Sequence, residues 1–180
     1  MTSTGWFVVL ILAVGVERVV ELVISQRHVG WALARGGVEL GRSHYPFMVL
    51  LHVSLLVGSV VEVVVLQRAF YAWLGWPMLL GVALGQGLRW WCITTLGPQW
   101  NTRVVVVPEA GRVTAGPYRH LRHPNYVAVV VEGVCLPLVH TAWITASVFT
   151  ICNAFLLRVR IRTEDQALAL LDQPASRVDR

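Results

Sequence analysis

The chain has 180 residues, of which 56% are hydrophobic and only 14% charged, whereas about 25% of the residues in a soluble domain are charged. This composition excludes an ordinary soluble domain and favours a membrane protein of one domain. The net charge is +5, and all fifteen cationic residues are arginines, most of them placed between apolar runs. Such placement is typical of cytoplasmic loops and argues against a nucleic-acid partner.

The first half of the chain contains three apolar segments, each about 20 residues long. This length is enough for a helix to cross a hydrocarbon core of roughly 30 Å. The segments are 5–24, 46–66 and 72–93. The first lacks a basic start and carries Glu17 and Arg18 towards its end, so we interpret it as a retained helix and not as a signal peptide.

A fourth apolar stretch, 126–157, is too long for one transmembrane helix. Pro137 and the polar pair His140-Thr141 interrupt it, which predicts a hairpin of two shorter helices. The sequence therefore predicts an all-α integral membrane protein with about five transmembrane helices, followed by a cytoplasmic C-terminal amphipathic helix.

The arginines indicate an orientation in the membrane. The connections 25–45 and 94–125 and the tail after residue 157 are rich in arginine, whereas 67–71 carries only Arg68. Five crossings with the N-terminus outside would put all three arginine-rich segments on the cytoplasmic side, together with the C-terminus.

The domain organisation follows from the same segments. Residues 1–172 are predicted to form a single domain. Within it, residues 1–93 hold the first three spans, and residues 94–172 hold a catalytic loop, the helical hairpin and the last helix. Residues 173–180 are expected to form a loose tail.

Several ionisable residues lie inside the apolar segments, where a charge that faces lipid costs at least about 2.5–3.5 kcal/mol. They are Glu17, Arg18, Glu21, His52, Glu62, Arg89 and Glu132. They predict a polar interior, in which structural pairs such as Arg18 with Glu21 at i,i+3 are the favoured interpretation. Glu132 shares a helical face with Asn125, which predicts a position along the wall of a pocket.

Residues 116–126, GPYRHLRHPNY, form a polar cluster directly before an apolar run. The turn signals in it predict that a helix starts near Pro124. The free N–H groups of that helix offer a site for an anionic or polar ligand, although an anchor at headgroup level explains the same residues. His120 and His123 have no acidic or cysteine ligand nearby in the sequence, so no metal site is predicted.

A second polar segment, RVRIRTEDQALALL at 158–171, follows the last apolar run. As a helix it places Arg160 and Glu164 at i,i+4, which by itself is typical of an amphipathic interfacial helix. In the third apolar segment, Gly85-Gln86-Gly87 is consistent with close helix packing.

Taken together, these motifs resemble the isoprenylcysteine carboxyl methyltransferase family and the related phospholipid methyltransferases. The matching runs are Arg122-His123-Pro124-Asn125-Tyr126 and Arg160-Ile161-Arg162-Thr163-Glu164-Asp165, within a resemblance that covers about residues 95–171 and includes Trp100. The acidic pair is Glu-Asp where the family has Glu-Glu, and the aromatic tail of the isoprenylcysteine enzymes is missing. The chain is therefore most similar to small bacterial members that methylate phenolic or pyrone lipids.

The resemblance implies an O-methyltransferase that uses S-adenosylmethionine, needs no metal and acts on an amphipathic lipid at the cytoplasmic face. The cofactor-binding residues it implies are Tyr118, Arg119, His123, Pro124, Tyr126, Glu164 and Asp165, with Gly85 and Gly87 from the glycine motif of the phospholipid branch. Carboxylates suit the ammonium or ribose of the cofactor, and an arginine suits its carboxylate. Arg160 is expected to orient the acceptor oxygen, and His120, His123 or Glu132 to take its proton.

Three other functions are consistent with parts of the sequence. Membrane sterol-type reductases that use NADPH share a segment like RHPNY, but they carry a long aromatic, cysteine-bearing C-terminal extension that this chain lacks. A protein prenylcysteine carboxyl methyltransferase is a second alternative within the resemblance. A transporter or interaction protein would explain the buried charges, but it leaves the pairing of the two motifs unexplained.

Overall fold

A computed structural model describes residues 2–171, and within them the chain forms five α-helices. They are α1 (Ser3–Leu33), α2 (Tyr45–Val65), α3 (Ala72–Leu96), α4 (Pro124–Leu138) and α5 (Trp143–Leu171). The side chain of Thr2 caps α1 by accepting a hydrogen bond from the N–H of Gly5. Proline occupies the first turn of α2 and of α4, where its missing N–H has no helical partner to lose.

Two short strands lie outside the helices, so the prediction of an all-α chain needs a small correction. Strand β1 (Val38–Leu40) pairs antiparallel with β2 (Val104–Val106), with Val38 opposite Val106. Residues 104–107 are all valine, a β-branched residue that favours strands. The pairing joins the connection before α2 to the connection after α3, so both lie at one end of the bundle.

The last helix is continuous, which corrects the prediction of a separate C-terminal amphipathic helix. Helix α5 runs without a break from the fifth apolar run into the polar segment that begins at Arg158. The physical reason is that residues 143–171 contain neither proline nor glycine, so nothing in the sequence ends the helix. The predicted tail, 173–180, and residue 172 lie outside the described residues.

The turn between α4 and α5 lies where the sequence predicts a break. Helix α4 ends one residue after Pro137, and Thr141 adopts a positive φ of 56° in the turn. Glu62 of α2, which is 6% exposed, accepts hydrogen bonds from the N–H groups of Ile144 (3.1 Å) and Thr145 (2.7 Å). This buried carboxylate therefore satisfies the free donors at the start of α5.

The outer surface of the helices is strongly apolar. Side chains that are more than half exposed include Leu12, Val16, Val57, Leu84 and Phe155. By length and composition, Arg42–Val65 and Trp143–Ala169 could each cross a membrane, and Pro124–Leu138 is a shorter apolar helix. A helix bundle with this surface fits a lipid environment, in which exposed apolar side chains carry no penalty.

Candidate active site

Two motifs that are far apart in the sequence meet at the end of the bundle that carries the strands. His123 precedes α4, and its Nδ1 and Nε2 lie 3.3 Å from Oε1 of Glu164 and 3.2 Å from Oδ1 of Asp165. The hydrogen bond to Glu164, together with the charge of both carboxylates, raises the pKa of His123 above its ordinary value of 6.5. Both ring nitrogens of His123 already face carboxylate oxygens, so neither is left to take a proton from an acceptor, which disfavours that one of its predicted roles.

Tyr126 connects this contact to the interior of the bundle. Its hydroxyl donates a hydrogen bond to Oε2 of Glu164, and its ring stacks on His123 with 5.6 Å between the centroids. The guanidinium of Arg160 lies 5.6 Å from the centroid of the Tyr126 ring, within range of a cation–π contact. Arg160 is 6% exposed and donates a hydrogen bond from Nη2 to the carbonyl oxygen of Thr102 at 2.9 Å. The motif arginine therefore faces the interior and not the solvent.

The loop after α3 brings Trp100 against these residues. Gly97 ends α3 with a φ of 52°, a conformation that glycine adopts without a Cβ clash. Helix α1 then holds the loop: Oγ of Ser25 accepts from the N–H of Thr102 at 2.9 Å, and Nδ1 of His28 lies 2.6 Å from the carbonyl oxygen of Trp100. Helix α1 thus positions part of the site although it carries neither motif.

A first cavity, of about 140 Å³, borders the two motifs and is here called the polar cavity. Its polar and charged lining residues are Gln99, Asn101, Arg103, Arg112, Tyr118, Arg122, His123, Asn125, Tyr126, Arg160 and Glu164. Burial and the neighbouring Cys92 thiol raise the pKa of Tyr118, so this hydroxyl stays protonated. The cavity offers a carboxylate for a cationic group of a ligand and arginines for an anionic one.

A second cavity, of about 130 Å³, lies among the helices and is here called the apolar cavity. Its apolar lining residues are Leu22, Met48, Val49, Val53, Leu56, Val129, Leu156 and Leu157. A smaller polar set, Arg18, Glu21, His52, Arg89 and Asn153, lines the same cavity. Because most of the accessible wall surface is apolar, the cavity suits a lipid-like molecule more than a water-soluble one.

The two cavities share a wall made of Trp100, Asn125, Tyr126 and Arg160. Three polar atoms of this shared wall, Nε1 of Trp100, Oδ1 of Asn125 and Nε of Arg160, are buried and find no hydrogen-bond partner among the described residues. A buried donor or acceptor without a partner costs roughly 1–3 kcal/mol, which a ligand or water can relieve. The shared wall therefore holds polar atoms with unused hydrogen-bonding capacity beside both cavities.

Beside the apolar cavity lies a buried ion cluster made of Arg18, Glu21, Arg89 and Glu132. Nη2 of Arg18 and Nη2 of Arg89 each lie 2.7 Å from an oxygen of Glu132, and Arg18 also pairs with Glu21. The predicted Arg18–Glu21 pair is therefore present. Glu132 itself lines neither of the two cavities within the described chain, and two guanidiniums occupy its oxygens. This environment disfavours the predicted role of Glu132 as a proton acceptor.

The structure brings together some of the predicted site residues and not others. Those that line the polar cavity are Tyr118, His123, Tyr126, Arg160 and Glu164. Those that line neither cavity, as far as the chain is described, are Gly85, Gly87, Arg119, His120, Pro124, Glu132 and Asp165. Asp165 contacts His123 from outside the cavity, and Pro124 starts α4. Arg119 and His120 are exposed.

The two predicted glycines lie within α3, away from the motifs. A Cβ on Gly85 would lie 3.5 Å from Cγ1 of Val131, so this glycine permits close packing of α3 against α4. Gly87 has nothing within 4 Å of its Cβ position. Their placement supports the packing interpretation and offers no contact with a molecule in either cavity.

The sequence did not predict several of the residues that line the two cavities. Trp100 and Asn125 belong to runs that match the family, so the resemblance gave a signal for them, but no role was assigned. Met48 and Asn153 carry no motif and reach the apolar cavity only through the packing of α2 and α5. Among the described residues, no group of three or more His, Cys, Asp or Glu side chains could hold a metal ion.

Comparison with known proteins gives a family and two relatives. A model of the isoprenylcysteine carboxyl methyltransferase (ICMT) family matches residues 74–170. The chain is 36% identical over 164 residues to the uncharacterized protein YpbQ of Bacillus subtilis (strain 168), across 91% of this chain and 95% of that protein. It is 26% identical over 158 residues to an uncharacterized protein of Haemophilus influenzae, across 86% and 90%. No solved structure matches the chain significantly.

Proposed function

The chain belongs to the isoprenylcysteine carboxyl methyltransferase family of membrane methyltransferases, and from this premise we propose that it transfers a methyl group from S-adenosylmethionine to an oxygen of an amphipathic lipid. The family match confirms the resemblance that the two motifs predicted. The lipid acceptor, the use of S-adenosylmethionine and the cytoplasmic location of the reaction belong to the proposal.

One observation carries the proposal, namely that a polar cavity and an apolar cavity meet at a shared wall. A methyl transfer needs a water-soluble donor and an acceptor to approach within a few ångströms while water is excluded. The polar cavity would take the donor and the apolar cavity the acceptor. Trp100, Asn125, Tyr126 and Arg160 lie where the two would meet.

The residues of the polar cavity fit S-adenosylmethionine. Glu164 offers a carboxylate to the ammonium or the ribose hydroxyls, and Arg103, Arg112 or Arg122 offers a guanidinium to the carboxylate. Oδ1 of Asn101, which is buried and finds no partner among the described residues, is a free acceptor for an amino group. When bound, S-adenosylmethionine supplies a methyl group on a sulfonium, and the electron pair of the broken C–S bond stays on sulfur while an acceptor oxygen binds the carbon.

The protein's own contribution is positional and electrostatic. Arg160 would hold the acceptor oxygen through the part of its guanidinium that Thr102 does not use, and its charge would favour the deprotonated acceptor. A carboxylic acid or an acidic enol is already deprotonated at neutral pH, and a phenol can lose its proton to solvent before the acceptor and the methyl donor meet, so no dedicated base is required. This suits the site, because both ring nitrogens of His123 face carboxylates and two arginines occupy the oxygens of Glu132.

The aliphatic wall of the apolar cavity supports an acceptor with a long hydrocarbon chain. Such a chain gains roughly 0.8 kcal/mol for each buried methylene, which a water-soluble acceptor lacks. We favour a phenolic or pyrone lipid, with a prenylcysteine as the alternative acceptor within the family. The five helices would each cross the membrane, with the N-terminus outside and the site at the cytoplasmic face, as the arginines predict.

Radiolabelled S-adenosylmethionine tests the proposal directly. Purified protein in lipid nanodiscs should bind it, and should transfer the labelled methyl group to a long-chain alkylphenol or alkylpyrone with a rate that rises with chain length. Parallel reactions with a farnesylated cysteine and with NADPH plus a sterol analogue test the alternatives. Binding of NADPH without binding of S-adenosylmethionine would overturn the proposal.

A further inference from the structure

The apolar cavity has a polar floor that the transfer of a methyl group does not use. Glu21, His52, Arg89 and Asn153, here called the polar layer, line this cavity in addition to the shared wall. Along α5, Asn153 lies seven residues before Arg160, which is about 10 Å, or two helical turns. On α4, Glu132, which pairs with Arg89, lies the same seven residues beyond Asn125. Arg89 on α3, Glu132 on α4 and Asn153 on α5 therefore lie at a similar depth in the bundle.

Glu21 and Arg89 leave a donor and an acceptor unused within this layer. Oε1 of Glu21 and Nε of Arg89 are 3.6 Å apart, too far for a hydrogen bond, and neither atom has another partner among the described residues. Both side chains are deeply buried, with 4% and 7% of their surfaces exposed. A group that accepts from Arg89 and donates to Glu21 would satisfy both atoms at once.

Asn153 and His52 are the other two members of the polar layer. Asn153 is 4% exposed, and its amide makes no side-chain hydrogen bond within residues 2–171. Nδ1 of His52 lies 2.8 Å from the carbonyl oxygen of Met48, which leaves Nε2 as a free acceptor if Nδ1 carries the proton. Asn153 and His52 therefore offer unused hydrogen-bonding capacity to the cavity, and the enclosed unpaired atoms of Glu21 and Arg89 belong to side chains that line it.

The charge of this region selects the class of group that it could hold. The ion cluster beside the cavity contains two arginines and two glutamates, so their charges balance. A charged group would upset this balance in a region of low dielectric, where the cost is several kcal/mol. An uncharged hydroxyl or carbonyl oxygen would find donors and acceptors without adding a charge.

We propose that the acceptor lipid carries a second, uncharged polar group, a hydroxyl or carbonyl oxygen, about two helical turns from the oxygen that is methylated, and that the polar layer binds it. The inference rests on the proposed function, because it assumes that the acceptor occupies the apolar cavity. It narrows the substrate class from any long-chain phenol or pyrone to one whose hydrocarbon part is oxygenated near the ring.

A matched pair of acceptors tests the inference in nanodiscs. One is a plain 4-alkylphenol, and the other has the same chain with a hydroxyl on the carbon about 10 Å from the phenol oxygen. We expect kcat/KM to be at least about tenfold higher for the hydroxylated chain, which corresponds to one hydrogen bond of about 1.4 kcal/mol. A third isomer with the hydroxyl at the chain end controls for polarity alone.

Two substitutions test whether the polar layer causes the preference for the hydroxylated acceptor. Asn153→Leu and His52→Phe remove polar groups of the layer with little change of volume, and each should bring the ratio of the two kcat/KM values towards one. Thr150→Val on the same helix α5 is the matched control, because Thr150 is exposed and bonds only to the carbonyl oxygen of Ala146. A ratio of one in the unmodified protein, or a ratio that survives both substitutions, would overturn the inference.

A binding measurement separates this inference from the proposed function. The methyl ethers of the two phenols cannot be methylated again, so their effect on the thermal unfolding of the protein reports binding alone. Stronger stabilisation by the hydroxylated ether without any methyl transfer to the phenols would refute the proposed function and keep the polar layer as a ligand site. Methyl transfer with equal stabilisation by both ethers would refute the polar layer and keep the function.

Discussion

Glu164 accepts a hydrogen bond from the hydroxyl of Tyr126 on one oxygen and lies 3.3 Å from the imidazole of His123 with the other. The first half of the paired motif thus contacts the second through both oxygens of one carboxylate. This contact fixes the start of α4 against the last turns of α5. It also fixes the edge of the polar cavity, where the proposed cofactor would bind.

The first prediction concerns the affinity for the cofactor. Glu164→Gln and His123→Ala should each weaken binding of S-adenosylmethionine about a hundredfold, since losing a charge-assisted hydrogen bond in a secluded site costs a few kcal/mol. Titration of labelled cofactor into nanodiscs measures the effect. Gln166→Ala is the control, because Gln166 is exposed on the same helix and should bind as before. Unchanged cofactor affinity in both variants would indicate that Glu164 forms only a surface ion pair and does not bind the cofactor.

The second prediction concerns pH. Because Glu164 raises the pKa of His123, the contact should stabilise the protein fully below pH 6.5 and lose its effect as the pH rises through the raised pKa. NMR of the labelled imidazole should give a pKa above 6.5, and Glu164→Gln should lower it. The difference in unfolding temperature between the unmodified protein and His123→Gln should likewise shrink on the alkaline side. A pKa of His123 at or below 6.5 contradicts this prediction.

The third prediction concerns Arg160. Arg160→Met keeps most of the side-chain volume but removes the guanidinium beside Tyr126, so kcat/KM for the acceptor should fall about 10–100-fold. Arg158→Met, at an exposed position two residues earlier, should behave like the unmodified protein. Equal losses in the two variants would mean that positive charge near the headgroups matters and not the contact in the site.

The fourth prediction concerns orientation. In a protein whose native cysteines are replaced, single cysteines at Arg119 and Arg162 should react with a membrane-impermeant reagent from the cytoplasmic side. A cysteine at Ala69, in the connection between α2 and α3, should react from the outside. Labelling of Arg119 and Arg162 positions from opposite faces is incompatible with a single site at one end of the bundle.

The fifth prediction separates stability from binding. Glu62→Gln weakens the hydrogen bonds that Glu62 accepts from the first turn of α5 and its 2.8 Å contact with Arg68, so the free energy of unfolding should fall by about 1–3 kcal/mol. Val61→Leu, at an exposed neighbouring position, is the control. Because the start of α5 is remote from the polar cavity, cofactor affinity should stay the same. A loss of affinity equal to that of Glu164→Gln would show that α5 transmits the change.

Local signals in the sequence predicted the parts of the fold that depend on neighbouring residues. The break between α4 and α5 follows from Pro137 and the polar pair after it, and the start of α4 follows from Pro124. The family resemblance implied that His123 and Glu164 belong to one cofactor site, and their direct contact is a finding that no local pattern would have predicted. The continuous α5 was missed because a change from apolar to polar residues does not require the helix to end.

The remaining features depend on contacts between distant residues that no local pattern encodes. Ser25 and Thr102 are 77 residues apart, and no pattern around either residue predicts the hydrogen bond between α1 and the loop that contains Trp100. The valine run at 104–107 was visible, but its partner strand at 38–40 is short and mixed in character. The sequence did not predict the apolar cavity, because its wall combines residues from separate helices that share no motif.

The apolar cavity draws on a part of the chain that the polar cavity barely uses. Among the described residues, every one that lines the polar cavity lies within 74–170, the range that the family model matches, except Ala32. The apolar cavity also takes Arg18, Glu21 and Leu22 from α1 and a row from Met48 to Leu56 from α2, all before that range begins, while its other lining residues lie within it. Under the proposed function, two chains that agree over the matched range could share a methyl donor and yet differ in the acceptor that they methylate. We therefore expect differences in acceptor choice among relatives to follow sequence differences in α1 and α2.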